Sequence, residues 1–387
     1  MEKPYPSEHV KQNRRHDNDW LTVLAMLIIF FFHCARFFDY QDWHVKNNQL
    51  DGSLSLFVAV VAQWIMPLFF ILSGISSHYS LESRESGRYL RNRFRRLVIP
   101  LVLGTLVLLI PVQVWIERVS HAQFDGSFFE FYSHYFEGLY GLGGNFAWMG
   151  LHLWYLEILF VFTLLTFPVF VFLRKTRCQE MIAGAAAFFS RNGAIFLFGI
   201  PLFIVEWLVN LQPEGVGIRD FGGWSLLSYL VVFVTGFVVA FDLKYRQAME
   251  KSRFVSLALG LLTSGLMFFS PIDLSPLGNS LGYGAKVIAR SFNSWFWLVA
   301  ILGFGSKHLN FDNQVLSYSR EAVLPFYILH QTVIVVIGFC LANWAASVMA
   351  KYLILTSSSF VMIMALYELL IRRVNALRFL FGMTIKR

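Results

Sequence analysis

Two histidines stand where an apolar sequence ordinarily excludes them. His33 interrupts NDWLTVLAMLIIFFFHCARFF (residues 18–38), and His330 interrupts LPFYILHQTVIVV (residues 324–336). A neutral imidazole takes up a proton near neutral pH, which is what a general base needs. Ionisable groups inside apolar helices are costly and mark function by default. Base chemistry is therefore the expected role of His33. Its neighbour Cys34 has nucleophilic chemistry available, but a lone cysteine on an apolar face is ordinarily packing, and that reading is kept. His152 and Glu157 lie in GLHLWYLEILF (150–160), five apart and so not perfectly on one helical face. A buried histidine bonded to a backbone carbonyl is also ordinary helix–helix glue, and both readings stay open for His152. Glu206 is expected to pair with a buried Asn or Tyr.

A second constellation is basic. YLRNRFRRLVIP (89–100) puts Arg93 and Arg96 three apart, on one face of a helix. Arginine forks match phosphate oxygens, while Arg91 and Arg95 are explained by topological anchoring alone. A phosphate-bearing ligand held there can extend a flexible arm into the apolar interior. FFILSGISSHY (69–79), just upstream, supplies Ser73 and Gly74, small residues that let helices or a ligand arm approach closely.

The elements that must position these residues are membrane helices. The chain has 387 residues, of which only 14% are charged, against roughly a quarter in soluble domains. Apolar runs recur along its length, each able to cross a hydrocarbon core of about 30 Å. Ten spans are predicted, near 20–38, 54–79, 97–117, 150–173, 193–211, 224–241, 254–271, 287–304, 321–341 and 352–371. The expected fold is an all-α polytopic transmembrane bundle with both termini cytoplasmic. On that topology 25 of the 32 Lys and Arg fall inside, as the positive-inside rule requires. The seven outside are Arg36, Lys46, Arg118, Arg219, Lys286, Arg290 and Lys351. The divisions are a cytoplasmic tail (1–19), the transmembrane domain (20–371) and a basic cytoplasmic tail (372–387). Residues 80–96 and 174–192 read as cytoplasmic loops. Residues 118–149 read as an aromatic outer segment, either an interfacial helix or part of a lid. With Cys34, Cys178 and Cys340 on separate segments, neither a disulfide framework nor a metal site is expected. No basic run is interleaved with stacking aromatics in a soluble module, so nucleic acid is not an expected partner. The first apolar run has no small-residue cleavage site behind it and reads as a retained helix.

Taken in order, DWLTVLAMLIIFFFH, PLFFILSG, RFRRLVIP, HLWYLEIL and LPFYILHQ resemble the acyltransferase 3 family of integral membrane acyltransferases, in its glucan-type and O-antigen acetylase-type branches. The resemblance covers nearly the whole chain. It implies transfer of an acyl group, acetyl or succinyl, from cytosolic acyl-CoA to a glycan hydroxyl across the bacterial inner membrane. Acyl-CoA would be a co-substrate and no cofactor is bound permanently; a homo-oligomer is left open. On this resemblance His33 is the base or acyl relay and His330 assists it. Arg93 and Arg96, with Ser73 and Gly74, take the donor. His152, Trp154, Glu157, Asp19 and Glu321 serve the acceptor or support the site, Asp19 most simply as a helix N-cap. One departure stands out. The family usually has an arginine eleven positions before the first histidine, and here that position is Thr22; Arg14 and Arg15 are the nearby replacements. A proton-coupled transporter or flippase, and a catalytically silent relative, are the competing readings.

Overall fold

A computed structural model describes residues 15–209, 222–269 and 278–386. Arg14, Arg219 and Arg387 lie outside the described residues. Within them the regular elements are all helical: α1 (His16–Arg36), α2 (Gly52–Ala62), α3 (Ile65–Glu82), α4 (Ser86–Leu106), α5 (Leu109–Ser120), α6 (Phe128–His134), α7 (Trp154–Leu173), α8 (Thr176–Phe189), α9 (Gly199–Val209), α10 (Leu226–Val239), α11 (Leu243–Phe269), α12 (Gly278–His308), α13 (Gln314–Leu341), α14 (Val348–Leu366) and α15 (Asn375–Leu380). Backbone polar groups in lipid must be satisfied within each segment, which selects helices.

Seven helical stretches are long and apolar enough to cross a membrane, and an eighth if α4 and α5, bent by 41°, form one span. The fifth and sixth predicted spans correspond to shorter apolar helices, Ala194–Val209 and Leu226–Val239. Fourteen residues rise only about 21 Å. By length and composition, seven or eight of the ten predicted spans qualify among the described residues.

The interruption between α2 and α3 and the bend between α4 and α5 each come four residues before a proline. Proline cannot donate to the carbonyl four residues back, and its ring clashes with it. Pro67 lies in the first turn of α3, and the carbonyl it would meet belongs to Gln63, the last residue of α2's turn. Pro111 lies in the first turn of α5 and would meet Val107, where α4 ends.

Two predicted loops are mostly helix. Residues 80–96 contain the end of α3 and the start of α4, leaving only 83–85 as a turn. Arginine is a good helix former, so the basic stretch becomes the first three turns of α4. Residues 174–192 fold largely into the alanine-containing α8. The outer segment carries the short α6, opened by a Ser127–Glu130 capping box.

Glycine brings α3 and α10 into backbone contact. A Cβ on Gly74 would lie 2.1 Å from the Phe233 carbonyl oxygen, and one on Gly236 2.2 Å from that of Ile71. Gly74 therefore serves helix approach, the first of the two uses its size allows. No rotamer relieves a clash with backbone, so Gly236→Val should cost about 1–3 kcal/mol or more. It should clearly lower the unfolding temperature in detergent. Gly184→Val, where a Cβ meets nothing within 4 Å, should not; equal melting of the two variants would refute the close-contact account.

Ion pairs gather one end of the bundle. Asp19 meets Arg320 at 3.1 Å, and Glu321 meets Arg378 at 2.7 Å and Arg372 at 3.6 Å. The start of α1, the start of α13 and the C-terminal segment thus lie together. Arg95 stacks on Phe379 with 5.2 Å to the ring centroid, so residues 372–386 fold back against α4 rather than trailing as a tail. Asp19 is not an N-cap: α1 begins at His16 with Arg15 in the cap position. Its carboxylate is used against α13. Glu321 likewise ties the C-terminal segment down. At the opposite end the fully buried Lys351 donates to Asn47 (2.7 Å), Asn48 (3.2 Å) and the Ala342 carbonyl (3.1 Å), fastening residues 37–51 to α14.

Candidate active site

A cavity of about 700 Å³ opens at the end where α1 and α13 begin. Helical periodicity explains its walls. Arg15, Asn18, Thr22 and Met26 form one stripe of α1, Tyr89, Arg93, Arg96 and Leu97 one of α4, and Ser73, Ser76 and Ser80 one of α3. Arg15, Arg84, Arg93 and Arg96 give it a cationic wall. Arg15 is paired with Asp17, whereas Arg84, Arg93 and Arg96 form no ion pair among the described residues. Arg93 donates to Ser77 at 2.7 Å and lies over the Tyr89 ring. Thr22 lines the cavity with its hydroxyl turned back onto the Asn18 carbonyl at 2.8 Å. Tyr155 and Tyr327 lie at the inner end; the Tyr155 hydroxyl meets that of Ser73 at 2.6 Å, and Tyr327 donates to the His152 carbonyl.

One turn beyond Tyr327 on α13 is His330. Its Nε2 lies 3.0 Å from His33 Nδ1, joining the two histidines that the sequence singled out. Counted from the observed helix starts, His16 and Gln314, they are 17 and 16 residues along, about 26 and 24 Å. The two helices run parallel, so the histidines meet at one depth. The hydrogen bonds also assign the tautomers. His330 Nδ1 lies 2.5 Å from the Tyr327 carbonyl oxygen, which only accepts. The proton of neutral His330 is therefore on Nδ1, and its Nε2 is a bare acceptor. His33 Nδ1–H must donate to it. The remaining lone pair is on His33 Nε2, which has no hydrogen-bond partner among the described residues. That nitrogen can take a proton from a hydroxyl.

His152 packs edge-on against His330, with ring centroids 5.2 Å apart, and its Nε2 donates to the Ile328 carbonyl at 3.1 Å. The carbonyl bond ties α13 to the turn before α7, and the ring contact places His152 against the histidine pair. Its Nδ1 lies 3.4 Å from the Gln113 amide nitrogen, which also donates to Thr332 at 2.7 Å. Gln331 Nε2 donates to the Gln113 oxygen at 3.1 Å and to His44 Nε2 at 3.0 Å. His44 Nδ1 in turn donates to Glu117, and the Tyr140 hydroxyl donates to the same carboxylate at 2.8 and 2.9 Å. Burial and the Glu117 carboxylate push the Tyr140 phenol well above the ordinary tyrosine range, so it remains a donor. A hydrogen-bonded chain thus runs from the histidine cluster toward the far end.

Other expectations are placed elsewhere. Cys34 is fully buried in the apolar core, as the packing reading has it. Trp154 packs on Tyr229 and Phe70. Neither it nor Glu157 lines the cavity; Glu157 Oε2 has no hydrogen-bond partner among the described residues. Glu206 accepts from the Ser225 backbone N–H and the Ser228 hydroxyl.

Sequence reasoning passed over Gln113, Glu117, His44, Gln331, Tyr155 and Tyr327. A signal existed for three of them. Gln113 and Glu117 are four apart in the otherwise apolar PVQVWIE (111–117), one polar face on a membrane helix. Gln331 directly follows His330. Nothing in the sequence pairs His44 with Glu117.

A helical membrane bundle with a cationic cavity leading to paired histidines defines a class, and comparison gives it a family. Residues 15–368 match the acyltransferase domain of the acyltransferase 3 family, and the chain belongs to that family: it is an integral membrane acyltransferase, which sets the transporter reading aside. Its curated relatives include "Glucans biosynthesis protein C" from Salmonella paratyphi A (strain ATCC 9150 / SARB42), Salmonella agona (strain SL483) and Salmonella heidelberg (strain SL476). Each is 22% identical over 98% of this chain and 95% of the relative. No solved structure matches.

Proposed function

We propose that the protein moves an acyl group, acetyl or succinyl, from cytosolic acyl-CoA to a hydroxyl of an extracytoplasmic glycan at the bacterial inner membrane. The relatives' name, "Glucans biosynthesis protein C", supports a glucan as that acceptor. The observation that carries this reading is the arginine-lined cavity that reaches Tyr327, one helical turn short of His330 in the His33–His330 pair. The cavity end bears the Arg-rich start of α4 and by the positive-inside rule faces the cytoplasm. Arg93 and Arg96 receive the CoA phosphates as forks. Arg15, on the same stripe two turns before Thr22, supplies charge where the family's arginine is missing. The thioester arm passes Ser73 toward Tyr155 and Tyr327.

The chemistry then follows from the tautomers. The acceptor hydroxyl oxygen attacks the thioester carbonyl while His33 Nε2 takes its proton. The C–S bond breaks, and the departing thiolate recovers that proton from the imidazolium, leaving an ester and free CoA thiol. His330 Nε2 stabilises the imidazolium by accepting from His33 Nδ1–H, the part a triad's orienting group plays.

The test uses the full chain in proteoliposomes, supplied with radiolabelled acetyl-CoA or succinyl-CoA and a glucan oligosaccharide. Label should pass from one donor to the oligosaccharide. No transfer from either donor would overturn the proposal.

A further inference from the structure

His33 has two orienting neighbours. His330 Nε2 accepts a hydrogen bond from its Nδ1–H, and the Trp43 ring lies nearly parallel to it, 6.4 Å between centroids with 14° between planes. These neighbours come from distant segments, the 37–51 loop and α13. In each case the next residue along the chain, His44 or Gln331, joins the other at 3.0 Å. We infer that the buried Glu117–His44 pair and Gln331 form a clasp that positions His33, fixing the spacing of its two walls; the kinetic consequence rests on the proposed function.

The directions of the hydrogen bonds make the clasp self-consistent. The Leu109 carbonyl, 3.3 Å from Gln113 Nε2, and the Ile328 carbonyl beyond His152 only accept. They require Gln113 to present its nitrogen inward and its oxygen to Gln331. Gln331 must then offer its nitrogen to His44, whose Nε2 is therefore bare and whose Nδ1–H points at Glu117. A carboxylate beside that N–H holds one tautomer, and Glu117 is itself held by Tyr140 from the 137–146 segment. That segment is clamped in turn by Arg118, which donates to Asn145 at 2.9 Å and to the Gly144 carbonyl at 2.8 Å. Glu117 and His44 are 7% and 8% exposed. A carboxylate and an imidazole buried at this depth are retained only with their partners in place, and the partners here lead to both walls of His33. These are positioning residues; neither is within hydrogen-bond distance of His33.

The test cuts the clasp at two points, Glu117→Gln and Gln331→Met, in full-length protein in lipid nanodiscs. Imidazole nitrogens of histidine-labelled protein are read by NMR, with the His33 signals assigned by their loss in His33→Gln. Wild type should show His33 with one protonated and one bare nitrogen. Either cut should move both signals toward an averaged position as the ring loses its fixed partner. Transfer assays should show kcat lowered about 10- to 100-fold, the cost of a small misplacement of a reacting group, with the KM for acyl-CoA unchanged. Asn293→Ala serves as a control for destabilisation alone. It removes bonds to the Gly260 carbonyl, Thr263 and Ser264 between α11 and α12 and should lower the melting temperature without moving the His33 signals. His33 signals unchanged in the clasp variants would overturn the inference, as would equal movement in Asn293→Ala. If Glu117→Gln does not fold, Gln331→Met decides, since it removes no charge. Absence of transfer by wild type would instead overturn the acyltransfer reaction proposed above, and the NMR result would still decide the clasp.

Discussion

Replacing His33 by alanine should lower acyl transfer by about 10²- to 10⁴-fold, the usual contribution of a positioned general base. Acyl-CoA binding should survive. The cavity stripe on α1 ends at Met26, seven residues before His33, which is about 10 Å along the helix. The variant should therefore show a kcat defect and an unchanged acyl-CoA KM in label-transfer assays. His330→Ala should be milder, because it removes the orienting acceptor while leaving His33 Nε2 in place. Full transfer by His33→Ala would rule out the base.

The opposite kinetic pattern is expected of the arginines. A hydrogen bond to a charged partner contributes about 1.5–3 kcal/mol, and each 1.4 kcal/mol is about tenfold in affinity. Arg96→Ala should raise the acyl-CoA KM by about 10- to 100-fold, and Arg93→Ala similarly, though it also loses the Ser77 bond and the Tyr89 face. Arg95→Ala is the internal control. Arg95 shares the basic segment but stacks on Phe379 and does not line the cavity, so its KM should stay near wild type. If the three variants behave alike, general charge at the membrane surface and not phosphate recognition is the role of the segment. Because paired charges are screened by salt, the Arg96 effect should shrink at high ionic strength.

Much of this site is legible as one-dimensional pattern. A histidine inside an apolar run is visible in any reading of residues 18–38, and Arg93 and Arg96 fall on one face as soon as α4 is drawn as a helix. The interval of eleven from Thr22 to His33 is three helical turns, so both positions had to share a face of α1. Pro67 and Pro111 lie four residues after the breaks at Gln63–Trp64 and Val107–Leu108, but Pro100, Pro168 and Pro325 lie inside unbroken helices, so proline alone does not place a break. Helix ends were less legible. The basic segment was read as a loop because charge suggests solvent, but arginine is also a good helix former, and helix α4 extends through it.

What the sequence determined by itself was the class of molecule and its family. Both rest on the abundance of apolar spans and on short motifs within single helices. The tertiary structure alone decided which helices are neighbours. That choice put His33 beside His330, gave Arg15, Arg84, Arg93 and Arg96 a shared cavity, and joined His44 to Glu117 and Gln331 across separations of 73 and 287 residues. The physical reason is that apolar periodicity says which face a helix buries but not against what. Partners are chosen by side-chain fit and by the need to satisfy each buried polar group. Both are properties of two surfaces meeting, and neither can be read from one strand of sequence.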